Sequence, residues 1–149
     1  MVSEAVECVL VGVDDSDAAH EALEYAVALA AAYDASVYVL EVLGESTTAA
    51  IAEDRIEPDR ISARSEALFE EIAEVAAAAD VELRSGVAYG YSTERKLVQP
   101  GTVVLDVAEE IDAGFIVLPR ETPGDEAAGV LAKTAEYALL YATQPVVAV

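Results

Sequence analysis

The segment VECVLVGVDDSD, running from Val6 to Asp17, decides the fold. Val6 to Val13 is an apolar run rich in β-branched residues, as expected of a strand buried on both faces. It ends abruptly at Asp14, Asp15, Ser16 and Asp17, whose short polar side chains suit a helix N-cap. Beyond them Ala19, Leu23, Ala26, Val27 and Ala30 recur at helical spacing while Glu21 and Glu24 fall between, which predicts a helix from about Asp17 to Ala32. A second apolar run, SVYVLEVL from Ser36 to Leu43, reads as another buried strand.

The same alternation continues to the end of the chain. Gly44 to Pro58 is polar, small and acidic, and is predicted to be a long loop. Ile61, Leu68, Ile72, Val75 and Ala79 mark an amphipathic helix from Asp59 to about Asp80. Val81, Leu83, Ser85 and Val87 then alternate with Glu82, Arg84 and Gly86, a strand with one wetter face, as expected near a sheet edge. A second long loop, Tyr89 to Gly101, leads to a helix from about Thr102 to Ile111, and Phe115 to Leu118 follows as a short buried strand. A last helix, from about Glu126 to Ala142, is expected to carry Leu131, Ala135, Ala138 and Ala142 on one face before a strand at Val146 to Val149. Five strands alternating with four helices call for a single α/β domain over residues 1–149, with a parallel sheet, helices on both faces and right-handed crossovers. In such a sheet ligands collect at the carboxyl ends of the strands where strand order reverses, so the end of the first strand is the first candidate site.

Composition narrows the partners. The 149 residues carry 29 acidic and 8 basic side chains, a net charge of −21, and the only lysines are Lys96 and Lys133. Such a surface repels phosphate backbones and anionic lipid, so neither nucleic acid nor membrane is an expected partner. Acidic groups repel across a Debye length of about 8 to 10 Å in ordinary salt and about 3 Å near 1 M, so this surface suits the salt-rich cytoplasm of a halophile, expected to be an archaeon. The start of the chain lacks the basic and apolar regions of a signal peptide, and no apolar run approaches the length of a membrane span, so a cytoplasmic location is expected.

Catalytic and metal constellations are thin. His20, the one histidine, is read as a solvent-facing helix residue, and Cys8, the one cysteine, as a buried structural thiol. They supply neither a nucleophile and base pair nor an ordinary zinc site, so no catalytic residue and no metal site are assigned. Tyr25, Tyr33, Tyr137 and Tyr141 are read as half-buried core or interface groups. Asp14 has two readings: part of a cation or ligand site beneath the first helix, or a cap of that helix, whose N–H groups and dipole favour an anion. Asp15 and Ser16 are read as capping residues. An acidic pair ending the first strand also suggests a phosphotransfer receiver domain. That fold further needs an aspartate ending the middle strand and a lysine ending the last, and neither is found at Leu43-Gly44, at Leu118-Pro119 or at the end of the chain.

Four segments in order, VLVGVDDS, EALEYAVALAAAYDASVYVLEV, VLDVAEEIDAGFIVLP and AEYALLYATQPVVAV, resemble the universal stress protein family over essentially the whole chain. The resemblance implies a Rossmann-like sheet of the adenine nucleotide alpha hydrolase type in the order 3-2-1-4-5. It also implies homodimers formed along strand 5, here Val146, Val147, Ala148 and Val149. Members that bind ATP hold adenine around positions matching Asp14 and Val42, so Gly12, Asp14, Val42, Leu118 and Lys133 are the expected contacts of any nucleotide. Their phosphate motif, G-x-x-G, nine residues, then G-[S/T], falls without a gap on Pro119, Thr122, Ala132 and Lys133. All four depart from it. Glycine there lets backbone N–H groups wrap a phosphate, while proline has no N–H, and Glu121, Asp125 and Glu126 add opposing charge. Lys133 and Arg120 are the cations left to compensate. The expectation is a dimeric binding or regulatory module in the stress response with no cofactor. The alternative is an ATP or AMP binder of altered geometry, with slow phosphohydrolysis supported by Asp14.

Overall fold

The computed structural model describes residues 6–14, 17–43, 58–89, 100–120, 131 and 134–149. Its strands are β1 (Cys8–Val13), β2 (Ser36–Leu43), β3 (Leu83–Tyr89), β4 (Phe115–Leu118) and β5 (Val146–Ala148). Its helices are α1 (Asp17–Tyr33), α2 (Pro58–Ala78), α3 (Pro100–Glu110) and α4 (Thr134–Tyr141). All strand pairings are parallel, in the order β3-β2-β1-β4-β5. The parallel sheet is the one the alternation predicted, in the order the family resemblance implied. β1 lies at its centre, between β2 and β4, and every one of its residues is buried. This explains why it reads as a continuous apolar run rather than an alternating one.

Alternate residues of the strands build two cores. Val9, Val11, Val13, Val37, Val39 and Val117 pack beneath α1 and α2, against side chains such as Leu23, Ala26 and Ile72. Leu10, Leu40, Val42, Ile116 and Leu118 face the other way, beneath Val104 and Ala108 of α3 and Ala135 and Ala138 of α4. The small alanines of α1 and α4 let both helices lie close to the sheet, which leaves little room for a slip of register.

Three helices end the same way. Asp34, Asp80 and Asp112 adopt left-handed backbone angles, with φ of 55°, 56° and 52°. In each case the following residue donates back five positions, Ala35 to Ala30, Val81 to Ala76 and Ala113 to Ala108, at 2.8 to 2.9 Å. This is the Schellman termination, with aspartate in the place that glycine usually takes.

The same caps account for shifted boundaries. Val81 was expected to open the third strand, but its N–H closes the end of α2, so the ladder begins with the Glu82 carbonyl accepting from Val37 N–H at 2.9 Å. β3 therefore lies two residues later than its alternation suggested, and Val87, expected on its apolar face, is 52% exposed because no strand among the described residues flanks it. β1 begins at Cys8 rather than Val6, and α3 at Pro100 rather than Thr102, where proline's fixed φ suits a first helical turn. Leu131, expected within the last helix, lies in a turn ahead of α4, because its N–H is used elsewhere. The two expected long loops lie, apart from their end residues, outside the described residues, as does the expected start of the last helix.

Candidate functional site

At the carboxyl end of β1 the strand's two neighbours lead in opposite directions, β2 back to β3 and β4 on to β5, so the crevice expected of a parallel sheet lies here. Register brings the predicted residues together. Gly12 is opposite Leu40 on β2, which places Val42 level with Asp14. Val11 is opposite Val117 on β4, which places Leu118 level with Gly12. Leu118 and Val42 are buried on the α3/α4 face.

Asp14 follows the last residue of β1 and is 8% exposed. Its Oδ2 accepts a hydrogen bond from the backbone N–H of Leu131 at 3.0 Å. A polar group taken out of water is costly unless such a donor meets it. The bond also fixes the approach to α4: Thr134 N–H donates to the Leu131 carbonyl at 3.0 Å, and Thr134 itself is buried.

The Leu131 side chain is fully buried and lies over Gly12. A Cβ on Gly12 would stand 2.7 Å from Leu118 Cδ2 and 3.1 Å from Leu131 Cδ1, closer than carbon atoms pack. The bare glycine is what allows both leucines to close over the strand. Sequence reading singled out Gly12 and Asp14 but missed Leu131 as their common partner.

The backbone donor described just beyond β4 is also committed. Pro119 is buried and has no N–H. Arg120 N–H donates to the Val149 carbonyl at 2.9 Å, and Val149 N–H donates to the Leu118 carbonyl at 2.9 Å. Leu118 and Arg120 are therefore tied to Val149, continuing the β4–β5 ladder.

The universal stress protein family model matches residues 6–149. The chain belongs to this family. No curated protein sequence gives a significant match. Among solved structures the chain is similar to universal stress protein UspA from Lactobacillus plantarum, with a TM-score of 0.72 and 22% identity over 96% of this chain and 97% of that one. It is similar to a universal stress protein in complex with cAMP, with a TM-score of 0.68 and 19% identity over 97% of this chain and 96% of that one. It is also similar to the universal stress protein from Archaeoglobus fulgidus in complex with dAMP, with a TM-score of 0.63 and 22% identity over 96% of each chain.

Within this family fold, Gly12, Asp14, Val42, Leu118 and Pro119 are brought to one end of the sheet, while Thr122, Ala132 and Lys133 lie outside the described residues. Cys8 is buried, and Arg84 Nη2 donates to its Sγ at 3.7 Å. His20 is exposed on α1. Tyr33 and Tyr137 are half-buried as expected, whereas Tyr25 and Tyr141 are 58% and 64% exposed because they project from helix faces turned away from the sheet. Among the described residues no group of three His, Cys, Asp or Glu side chains is placed to hold a metal ion, and no helix is long and apolar enough to cross a membrane.

Proposed function

We propose that this universal stress protein is a cytoplasmic regulatory or binding module that works as a homodimer and holds a nucleoside triphosphate weakly or not at all. The observation that carries the reading is the bond from Leu131 N–H to Asp14, with the Leu131 side chain seated over Gly12. Gly12 and Asp14, two expected contacts of a nucleotide, are thus engaged by their own chain. Pro119 and the committed Arg120 N–H support the same reading, since a phosphate cradle needs several free, convergent backbone donors. The dimer rests on β5, a short uncharged edge strand, and on Leu139, Leu140 and Tyr141 of the adjoining α4, which are 60%, 76% and 64% exposed.

The structures with cAMP and dAMP favour a second reading, an adenine nucleotide binder of altered geometry in which Asp14 and Lys133 contact the ligand. Titration calorimetry separates the two. Mg-ATP, AMP and cAMP are titrated into the parent and into Lys133→Ala, in molar salt and again at the lowest salt that keeps the protein folded. Weak or absent heats for all three support the first reading. A dissociation constant in the low micromolar range, or nucleotide carried through purification, establishes the second.

A further inference from the structure

We propose that the open edge of β3 accepts an extended, lysine- or arginine-bearing peptide segment of another protein as a sixth strand. This inference goes beyond the reading above and does not rest on it, because β3 lies at the opposite edge of the sheet from β5.

The backbone comes first. Val37 N–H donates to the Glu82 carbonyl at 2.9 Å. In a parallel ladder alternate residues face the same neighbour, so Arg84, Gly86 and Ala88 share the inward direction of Glu82. Leu83, Ser85 and Val87 therefore point their N–H and C=O groups outward, with no described strand to receive them. β3 has seven residues and β5 three, so among the described residues β3 is the longer open edge. Natural edges are usually blunted by lysine, proline or a bulge. β3 contains no lysine or proline, and its one cation, Arg84, lies over the Tyr38 ring on the α3/α4 face, 5.9 Å from the centroid. Gly86 leaves room there for Tyr38, whose hydroxyl a Cβ at that position would displace.

The opposite face supplies a groove. Val39, Glu41, Phe69, Ile72, Ser85 and Val87 line a shallow, open depression between α2 and the β2–β3 pair. Its floor is apolar, and Val87 is 52% exposed at its rim. Glu41 is directly opposite Val87 in the ladder, is half-buried, and has no hydrogen bond or ion pair among the described residues. A strand added beyond β3 would stand two spacings from Glu41, roughly 9 to 10 Å, a gap that a lysine and a glutamate side chain span together.

Charge selects the partner. Glu70, Glu71 and Glu74 are exposed on α2, and the chain carries −21 overall. At this edge an acidic strand, or the β3 edge of a second copy with its own Glu41, brings like charges together, whereas a cationic strand gains main-chain hydrogen bonds and an ion pair together.

The test uses a fluorescent octapeptide of alternating valine and lysine, titrated into the full chain at the lowest salt that preserves the fold and near 1 M KCl. Two controls are the same peptide with alternate backbone nitrogens methylated and a valine-glutamate peptide. The expected result is binding about tenfold tighter than either control, and a loss of about tenfold in Val87→Pro, which removes one outward donor and leaves the β2 ladder intact. Ser85→Pro does the same at a second position should Val87→Pro fail to fold, and Glu41→Gln should weaken binding several-fold at low salt. Amide shifts should change at Leu83, Ser85 and Val87. Equal binding of the methylated peptide, unchanged binding by folded proline variants, or shifts confined to β5 would overturn the proposal. So would an oligomer that Val87→Pro dissociates, since the edge would then belong to a second copy.

Discussion

The backbone N–H of Leu131 donates to Asp14 Oδ2 at 3.0 Å, joining positions 117 residues apart and tying the approach to α4 to the end of the central strand. Removing the acceptor leaves a buried donor unsatisfied. Asp14→Ala should therefore lose about 1 to 3 kcal/mol of stability. Asp14→Asn, whose carbonyl still accepts, should lose less. Urea denaturation at fixed high salt measures both, and equal midpoints for Ala and parent would show that the bond contributes nothing.

Gly12 and Leu131 form a second pair that the same experiment reaches. A methyl group at Gly12 meets Leu118 and Leu131 at 2.7 and 3.1 Å, so Gly12→Ala should be destabilised by about 1 to 3 kcal/mol through overpacking. Leu131→Ala removes the second of these contacts and gives Leu118 room to shift away from the first. The double variant should consequently be more stable than the sum of the single effects implies, and strict additivity would contradict the packing described here.

The left-handed aspartate caps offer a stabilising change. Asp80 sits at φ 56° after α2, where glycine adopts the angle freely and a negative charge faces the negative end of the helix dipole. Asp80→Gly should be neutral to stabilising by up to about 1 kcal/mol, the gain being partly offset by the freer unfolded chain. Asp80→Asn removes the charge alone and should recover only part of any gain, which thermal melts of the three proteins will resolve.

Salt dependence follows from the net charge of −21. Screening shortens the range of repulsion from about 10 Å near 0.1 M to about 3 Å at 1 M. The melting temperature should rise steeply from low salt to molar KCl. A flat profile would remove the basis for expecting a halophilic source.

The proposed homodimer makes its own demand. Val147 lies in the middle of β5, and a lysine there would place charge on an uncharged edge strand. Val147→Lys should be monomeric by light scattering under conditions where the parent is a dimer. A monomeric parent would end the proposal directly.

Much of the fold was legible in residues 6–43 alone, because burial of a parallel sheet on both faces forces continuous apolar strands and a one-sided helix between them. The bounds of β2 and β4 agree with the sequence reading, as do the burial of Cys8 and the exposure of His20. Local periodicity reports which face of an element is apolar and where it stops, and the family resemblance supplied the strand order. Periodicity carries no information about which distant backbone N–H a carboxylate will meet. Only the tertiary structure decided that Leu131 belongs to a turn bound to Asp14 instead of a helix, that Gly12 is bare to admit two leucines, and that Val87 faces solvent beside Glu41. Each depends on packing between elements remote in the chain, where hydrogen-bond satisfaction and excluded volume outweigh local pattern.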